Sequence, residues 1–296
     1  MASTRATNDF SRVTHVVLAS WMVLLGACQA VSTDQPTDEP LDSKVVANRL
    51  TEAHGGMENW LALNTVAIAR EHRGVQGPTD FRFNILADYA TQRIYERWEK
   101  PAGTVVWDGE RAWSVDWPIA QRLTPRFVTS IGFFLVNMPW LVQNPQTRLL
   151  GVTRESGLPS NPEAMFVVLD IEFEAAPVRK PKGIVSPRDT FRLYIDPDTW
   201  LLAAVHQSRT HAGQLHNFGA DASETAFVEI YVPTDSIEAE GLLWPGRYDI
   251  YAPTGVLTTR GRFFDYRFNV DIDEALFTPP KDAAGLVFDT SSSYQR

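Results

Sequence analysis

Cysteine occurs once in the 296 residues, at Cys28, which excludes any disulfide within the chain. Long apolar runs are missing as well. The longest, Val16 to Leu25, falls short of the ~20 residues a spanning helix needs. Basic residues are the minority, 27 Lys and Arg against 36 Asp and Glu, and the net charge of -9 disfavours nucleic acid, whose binding rests on cations that neutralise phosphates. There is no Gly-x-Ser-x-Gly elbow, no phosphate loop and no His-Glu-x-x-His pair, so the familiar local signatures of hydrolases, nucleotide enzymes and zinc peptidases are absent. No repeat of solenoid or propeller length is visible.

What is present begins with a leader. Arg5 and Arg12 precede the apolar run, which closes on Leu25-Gly26-Ala27-Cys28. A charged start, a short apolar centre and small residues before a cut site describe an export signal. The closing four residues resemble the lipobox of bacterial lipoproteins, which implies cleavage before Cys28 and diacylation of its thiol, including palmitate-type chains. Two buried chains anchor a protein where one holds it only marginally. Gln29, a residue other than Asp after the cysteine, implies the outer membrane under the sorting rule of Gram-negative lipoproteins; the inner membrane and the cell surface stay open. An ordinary secretory signal and an uncleaved apolar anchor are the alternatives. Cleavage would remove Arg5, Arg12 and Asp9, a net of one positive charge, and take the formal charge from -9 to -10. The expected organisation is a signal peptide over 1–27, the lipidated cysteine and a polar, Pro-bearing tether over 28–41, a single domain over 42–289 and a tail over 290–296.

Within that domain, Asp42 or Ser43 is placed to cap a helix over 43–54 with Val46, Leu50 and Ala53 on one face, ended by Gly55-Gly56. A short second helix carries Met57, Trp60 and Leu61 on one face. From about Thr65 the period changes to two. Phe81, Phe83, Ile85 and Ala87 alternate with polar residues, as do Leu169, Ile171 and Phe173. Further strands are expected at 91–99, 103–108, 111–116, 148–155, 190–195, 200–210, 225–232, 246–252 and 256–268, with turns at Asp108-Gly109 and Asp196-Pro197-Asp198. The fold class is therefore mainly β with helices (α+β): consecutive antiparallel hairpins forming one strongly curved sheet. Residues 127–147 break the pattern. They carry no charge, Phe127, Ile131, Phe134, Leu135 and Met138 recur at helical spacing, and Val128, Phe133, Val136 and Trp140 extend the apolar surface round the other side. Such a helix must be buried on most faces. It either plugs the concave side of the sheet or faces a ligand there.

The helix at 43–54, the hairpin Val105 to Asp116 with its Asp-Gly turn and tryptophans, the strand pair Phe191 to His206 and the ending Ile272-Asp273-Glu274-Ala275-Leu276-Phe277-Thr278-Pro279-Pro280 together resemble the LolA/LolB-like superfamily of periplasmic lipoprotein carriers. The resemblance implies an incomplete antiparallel barrel whose hydrophobic concave face is covered by helices. It also implies a carrier or receptor for an acyl chain, lipid or acylated protein. The polar insertions 156–163 and 175–189 and the segment 211–224 exceed a minimal carrier, and no basic patch for a transfer partner stands out.

Candidate chemistry is sparse. His206, His211 and His216 lie five apart, a spacing that alternates faces on a strand and does not build a metal site. His54 sits at a helix end, where a cation suits the dipole. Asp170, Glu172 and Glu174 share a strand face and read as its wet side. No catalytic residue, metal or other cofactor is expected. The residues expected to line a hydrophobic cavity are Phe81, Phe83, Ile85, Trp107, Trp113, Phe133, Phe134, Met138 and Trp140; plain core packing is the alternative for each. The leading expectation is a lipid-binding carrier or receptor in the cell envelope, not an enzyme, with a membrane as partner and an envelope protein as a further candidate. A non-catalytic scaffold with a filled core and an envelope hydrolase are the rivals.

Overall fold

The computed structural model describes residues 41–75, 80–118, 125–145, 147–173, 190–209, 227–280 and 288–289. The leader, Cys28, most of the tether, Glu174, His211, His216 and the insertions at 175–189 and 211–224 lie outside the described residues. Two helices open the domain, α1 (Ser43–Ala53) and α2 (Gly56–Ala62), followed by β1 (Thr65–Gly74), β2 (Asp80–Asp88), β3 (Arg93–Lys100), β4 (Ala102–Trp107) and β5 (Arg111–Val115). Helix α3 (Pro125–Leu141) leads to β6 (Thr147–Glu155), β7 (Phe166–Phe173), β8 (Thr190–Ile195), β9 (Leu202–Arg209) and β10 (Phe227–Pro233). A hairpin of β11 (Ser236–Ala239) and β12 (Leu242–Pro245) precedes β13 (Arg247–Tyr251), β14 (Leu257–Phe268), a 3-10 turn at Glu274–Phe277 and β15 (Phe288–Asp289).

Thirteen of these strands form one antiparallel sheet in the order β15-β5-β4-β3-β2-β1-β14-β13-β10-β9-β8-β7-β6. Two meanders are thus joined along β1 and β14, and β6 and β15 at the ends are not paired with each other, so the barrel is incomplete. Alternation along each strand sorts the side chains. Ile68, Phe83, Ile85, Ile94, Trp98, Val105, Trp107, Leu169, Ile171, Phe191 and Leu193 belong to one concave core, together with Val46 and Leu50 of α1, Trp60 of α2 and the apolar residues of α3.

The helices cover this face. Helix α1 packs on β6 and β7, whereas α3, the link between the two ends of the sheet, packs on β3, β4 and β5. The Asp42 carboxylate caps α1 by accepting from the Lys44 and Val45 amides at 2.7 and 3.1 Å. Helix α3 is held by polar contacts buried in an apolar setting: Trp60 Nε1–H and the Tyr89 hydroxyl both donate to Asn137 Oδ1, at 2.8 and 2.7 Å, and Asn137 Nδ2 donates to the Phe133 carbonyl at 2.8 Å. None of the described helices is long and apolar enough to cross a membrane.

Two local expectations are corrected and one element is added. The hairpin β11–β12 was not foreseen; Glu240 and Gly241, with φ of 53° and 69°, form its tight turn. Leu61 does not share the buried face of α2 with Trp60 but is 53% exposed. Trp113 lies on the convex side. It pairs with Val106 while Trp107 pairs with Ala112, so the two tryptophans point through opposite faces, and Trp113 packs with Val106 and Phe277.

Candidate functional site

Eight of the nine expected lining residues do gather on the concave side, and they are packed against one another. Phe83 stacks on Trp98 at 3.9 Å, and Phe134 stacks on Phe191 of β8 at 4.0 Å, which carries α3 across the hollow to the far half of the sheet. Trp140 stands 6.3 Å from Trp60, nearly parallel, and 5.0 Å from Trp244. Phe134, Met138 and Trp140 are fully buried; Phe81 is only partly so and packs on Trp98 and His72. The greater part of the hollow is filled by the protein's own aromatics.

An open cleft remains at one end, with a volume of about 250 Å³. Its walls are His54 at the end of α1, Leu135 and Pro139 of α3, Leu201 and Leu202 at the start of β9, Tyr231 and Pro233 of β10, and Leu243, Trp244 and Pro245 of β12. Thr234, Asp235 and Ser236 form an exposed polar rim. The chain builds this cleft by docking the β11–β12 hairpin on the α1–α2 junction. The Leu243 amide donates to the His54 carbonyl at 3.1 Å, and Gly55, with φ of 96°, lets Gly241 approach so closely that a Cβ there would stand 2.1 Å from the Gly241 carbonyl oxygen. Pro139 has no amide hydrogen and so leaves the Leu135 carbonyl without its usual helical donor; both residues face the cleft.

The two polar side chains in the cleft wall, His54 and Tyr231, are electrically neutral. Burial lowers the pKa of His54, and its Nδ1 lies 2.8 Å from the Leu50 carbonyl, so the ring is a neutral donor and not the cation expected at a helix end. The Tyr231 ring borders the cleft, its hydroxyl is buried without a hydrogen-bond partner among the described residues, and burial raises its pKa well above the usual value. Deeper under α3 lies a charged group of another kind. Arg70 is buried on β1, its Nε–H donates to the Tyr248 hydroxyl at 2.8 Å, and its guanidinium lies 5.1 to 5.4 Å from the ring centres of Phe83, Tyr248 and Phe263. Glu96 is fully buried and accepts from Trp98 Nε1–H at 2.9 Å, but its other oxygen, Oε1, has no hydrogen-bond partner among the described residues and packs against Gly132 of α3. Burial pushes its pKa up to about 8, so it is a neutral acid near pH 7. His72, also neutral, is held down to about 3 by burial and by Arg70.

These groups do not assemble a nucleophile and base, and the described residues contain no group of three His, Cys, Asp or Glu that would hold a metal ion. Asp170 and Glu172 sit in ion pairs with Arg192 and Arg148 on the outer face, as a wet strand side would. The sheet does, however, create a basic patch that no stretch of sequence displays: Arg73, Arg247, Arg260 and Arg262 come together with Glu71 on the convex side.

The chain is similar to a LolA superfamily protein from Nitrosomonas europaea. The likeness covers 81% of this chain and 98% of that one, at 10% identity and a TM-score of 0.48. A DUF1329 family protein from Desulfovibrio piger aligns over 80% of this chain and 97% of its own, at 11% identity and a TM-score of 0.46. At this level such likenesses carry no statement about ligand or partner. No family model and no curated protein matches the chain.

Proposed function

We propose that this protein is a membrane-anchored lipoprotein of the cell envelope that binds an acyl chain, of a lipid or of an acylated protein, in the cleft at the end of its concave face, without catalysing a reaction. The observation that carries this reading is the cleft itself: open to solvent, walled by Leu135, Pro139, Leu201, Leu202, Tyr231 and Trp244, and rimmed by polar residues. With roughly 30 Å³ for a group the size of a methylene, its 250 Å³ holds on the order of eight. Burying eight methylenes contributes about 6 kcal/mol before the entropy of ordering the chain is subtracted. A longer chain needs α3 to move, and its fixing points, Asn137 and the Phe134–Phe191 stack, set the resistance to that movement. The lipobox-like Cys28 supplies the anchor and places the domain on the envelope, with the outer membrane as its site.

The test is a titration with a fluorescent fatty acid. Wild type should bind with 1:1 stoichiometry, and Leu243→Asp and Leu201→Asp, at half-buried positions in the cleft wall, should each weaken binding at least tenfold while circular dichroism shows the fold retained. Saturable binding unaffected by either change would place the ligand elsewhere.

A second reading is favoured by the packing of the hollow: a non-catalytic scaffold with a self-filled core and an outer surface for an envelope protein. Recovery of a stoichiometric protein partner from membranes, with no lipid in the purified protein and no binding of the probe, would select it.

A further inference from the structure

The convex face of the sheet carries an arrangement that works against the fold. Antiparallel register sets Arg73 of β1 directly opposite Arg260 of β14, and Arg262 of β14 directly opposite Arg247 of β13. Like charges opposite one another on neighbouring strands destabilise a sheet, and here two such pairs lie side by side. All four side chains are exposed. The available counter-charge is partial. Glu71 is taken by Arg262 at 2.9 Å and shared with Arg82 at 3.5 Å, and Asp249 stands 3.7 Å from Arg260. Asp80 of β2 lies opposite Arg73 in the register but pairs with Lys100 at 3.2 Å, and neither Arg73 nor Arg247 has a carboxylate within ion-pair distance among the described residues. The four arginines surround a shallow depression of about 390 Å³, in a chain whose net charge is -9.

We propose that this depression is an anion site for the phosphate groups of an anionic phospholipid surface. Guanidinium groups bind phosphate oxygens through paired N–H donors, and an anion between the two like-charged pairs converts their repulsion into attraction. The geometry favours a surface over a single small anion. The four side chains project from three adjacent strands, about 4.8 Å apart, on the outside of a broad sheet, and the hollow between them has no enclosing wall. A membrane meets such a spread of charges at once, whereas a lone phosphate engages only some of them. The inference does not depend on the concave cleft, which opens among other residues.

The experiment is co-sedimentation of the full chain with phosphatidylcholine vesicles, with and without phosphatidylglycerol, at low and at high salt. The N-terminal apolar segment adds the same membrane affinity to every variant, so the quantity read is the increment that phosphatidylglycerol produces. Each arginine near an anionic bilayer contributes roughly fivefold. Arg73→Gln combined with Arg247→Gln should therefore lower the increment roughly 30-fold, and high salt should erase it in wild type. Lys44→Gln with Arg49→Gln, on α1, is the control that should leave it unchanged. Circular dichroism confirms that the variants fold. No increment in wild type, an equal increment in the Arg73/Arg247 variant, or loss of the increment on adding 10-mM-scale inorganic phosphate, about the concentration a soluble-anion site would need for millimolar binding, would each overturn the proposal.

Discussion

Glu96→Gln isolates the cost of holding an acid beneath α3. Glu96 is completely buried, so solvent screening does not dilute its effect, and burial raises its pKa from an ordinary 4.5 to about 8 against the pull of Trp98 Nε1–H and Arg70. A group that binds its proton more tightly in the folded chain favours folding while both states are protonated, and that advantage declines as pH climbs from 4.5 towards 8. Between pH 5 and pH 8 the decline comes to about 3.5 kcal/mol. His72 acts in the opposite sense. Its pKa of about 3, below an ordinary 6.5, means stability is lost as pH falls through that window, an effect of about 2 kcal/mol from pH 8 to pH 5. The raw wild-type profile is therefore flattened, and the difference between wild type and Glu96→Gln is the quantity to follow. Urea unfolding of both proteins at pH 5, 6.5 and 8 supplies it. The pH-independent cost of burying an amide cancels, and the variant should gain about 3.5 kcal/mol on wild type from pH 5 to pH 8. A constant gap across that range would show that Glu96 is ionised in the fold, and the burial argument would be wrong.

Other outcomes follow from single contacts. Gly55→Ala should cost about 2–3 kcal/mol of stability and weaken probe binding, because the new Cβ meets the Gly241 carbonyl oxygen at 2.1 Å and pushes β11–β12 off the helices; thermal melts and the fatty-acid titration read both. Tyr231→Phe removes a buried hydroxyl that lacks a partner among the described residues and should raise stability by about 1 kcal/mol in urea titrations. Cys28→Ala should abolish incorporation of labelled palmitate, read by following the label on the purified protein.

Much of the sheet was legible because a half-buried strand writes its burial as alternation. Phe83 and Ile85, or Leu169 and Ile171, need no partner strand to announce which side is inward. The covering helix was legible too, since a charge-free segment at helical spacing has no stable place on a surface. Which tryptophan faces inward depended on the turn. Four residues, 108–111, lie between the paired Trp107 and Ala112, and an even number places 107 and 113 on opposite faces. Turn parity was thus a usable signal for Trp113. The cleft was hidden for a different reason: its walls come from five separate elements, one of them part of a hairpin of two four-residue strands whose Glu-Gly turn is a weaker marker than Asn-Gly or Asp-Gly. The arginine patch was hidden most completely. Residues 73, 247, 260 and 262 become neighbours only through the pairing of β1, β14 and β13, which joins the two ends of the domain.

The central claim is that an acyl chain lodges between α3, β10 and the β11–β12 hairpin. A fatty acid bearing a terminal diazirine, bound, photolysed and mapped by peptide mass spectrometry, tests it most directly. The label should fall on Leu135 to Pro139, Leu201, Leu202 or the stretch from Leu243 to Pro245. Saturable labelling confined to other segments, or labelling that unlabelled fatty acid does not compete away, would contradict it.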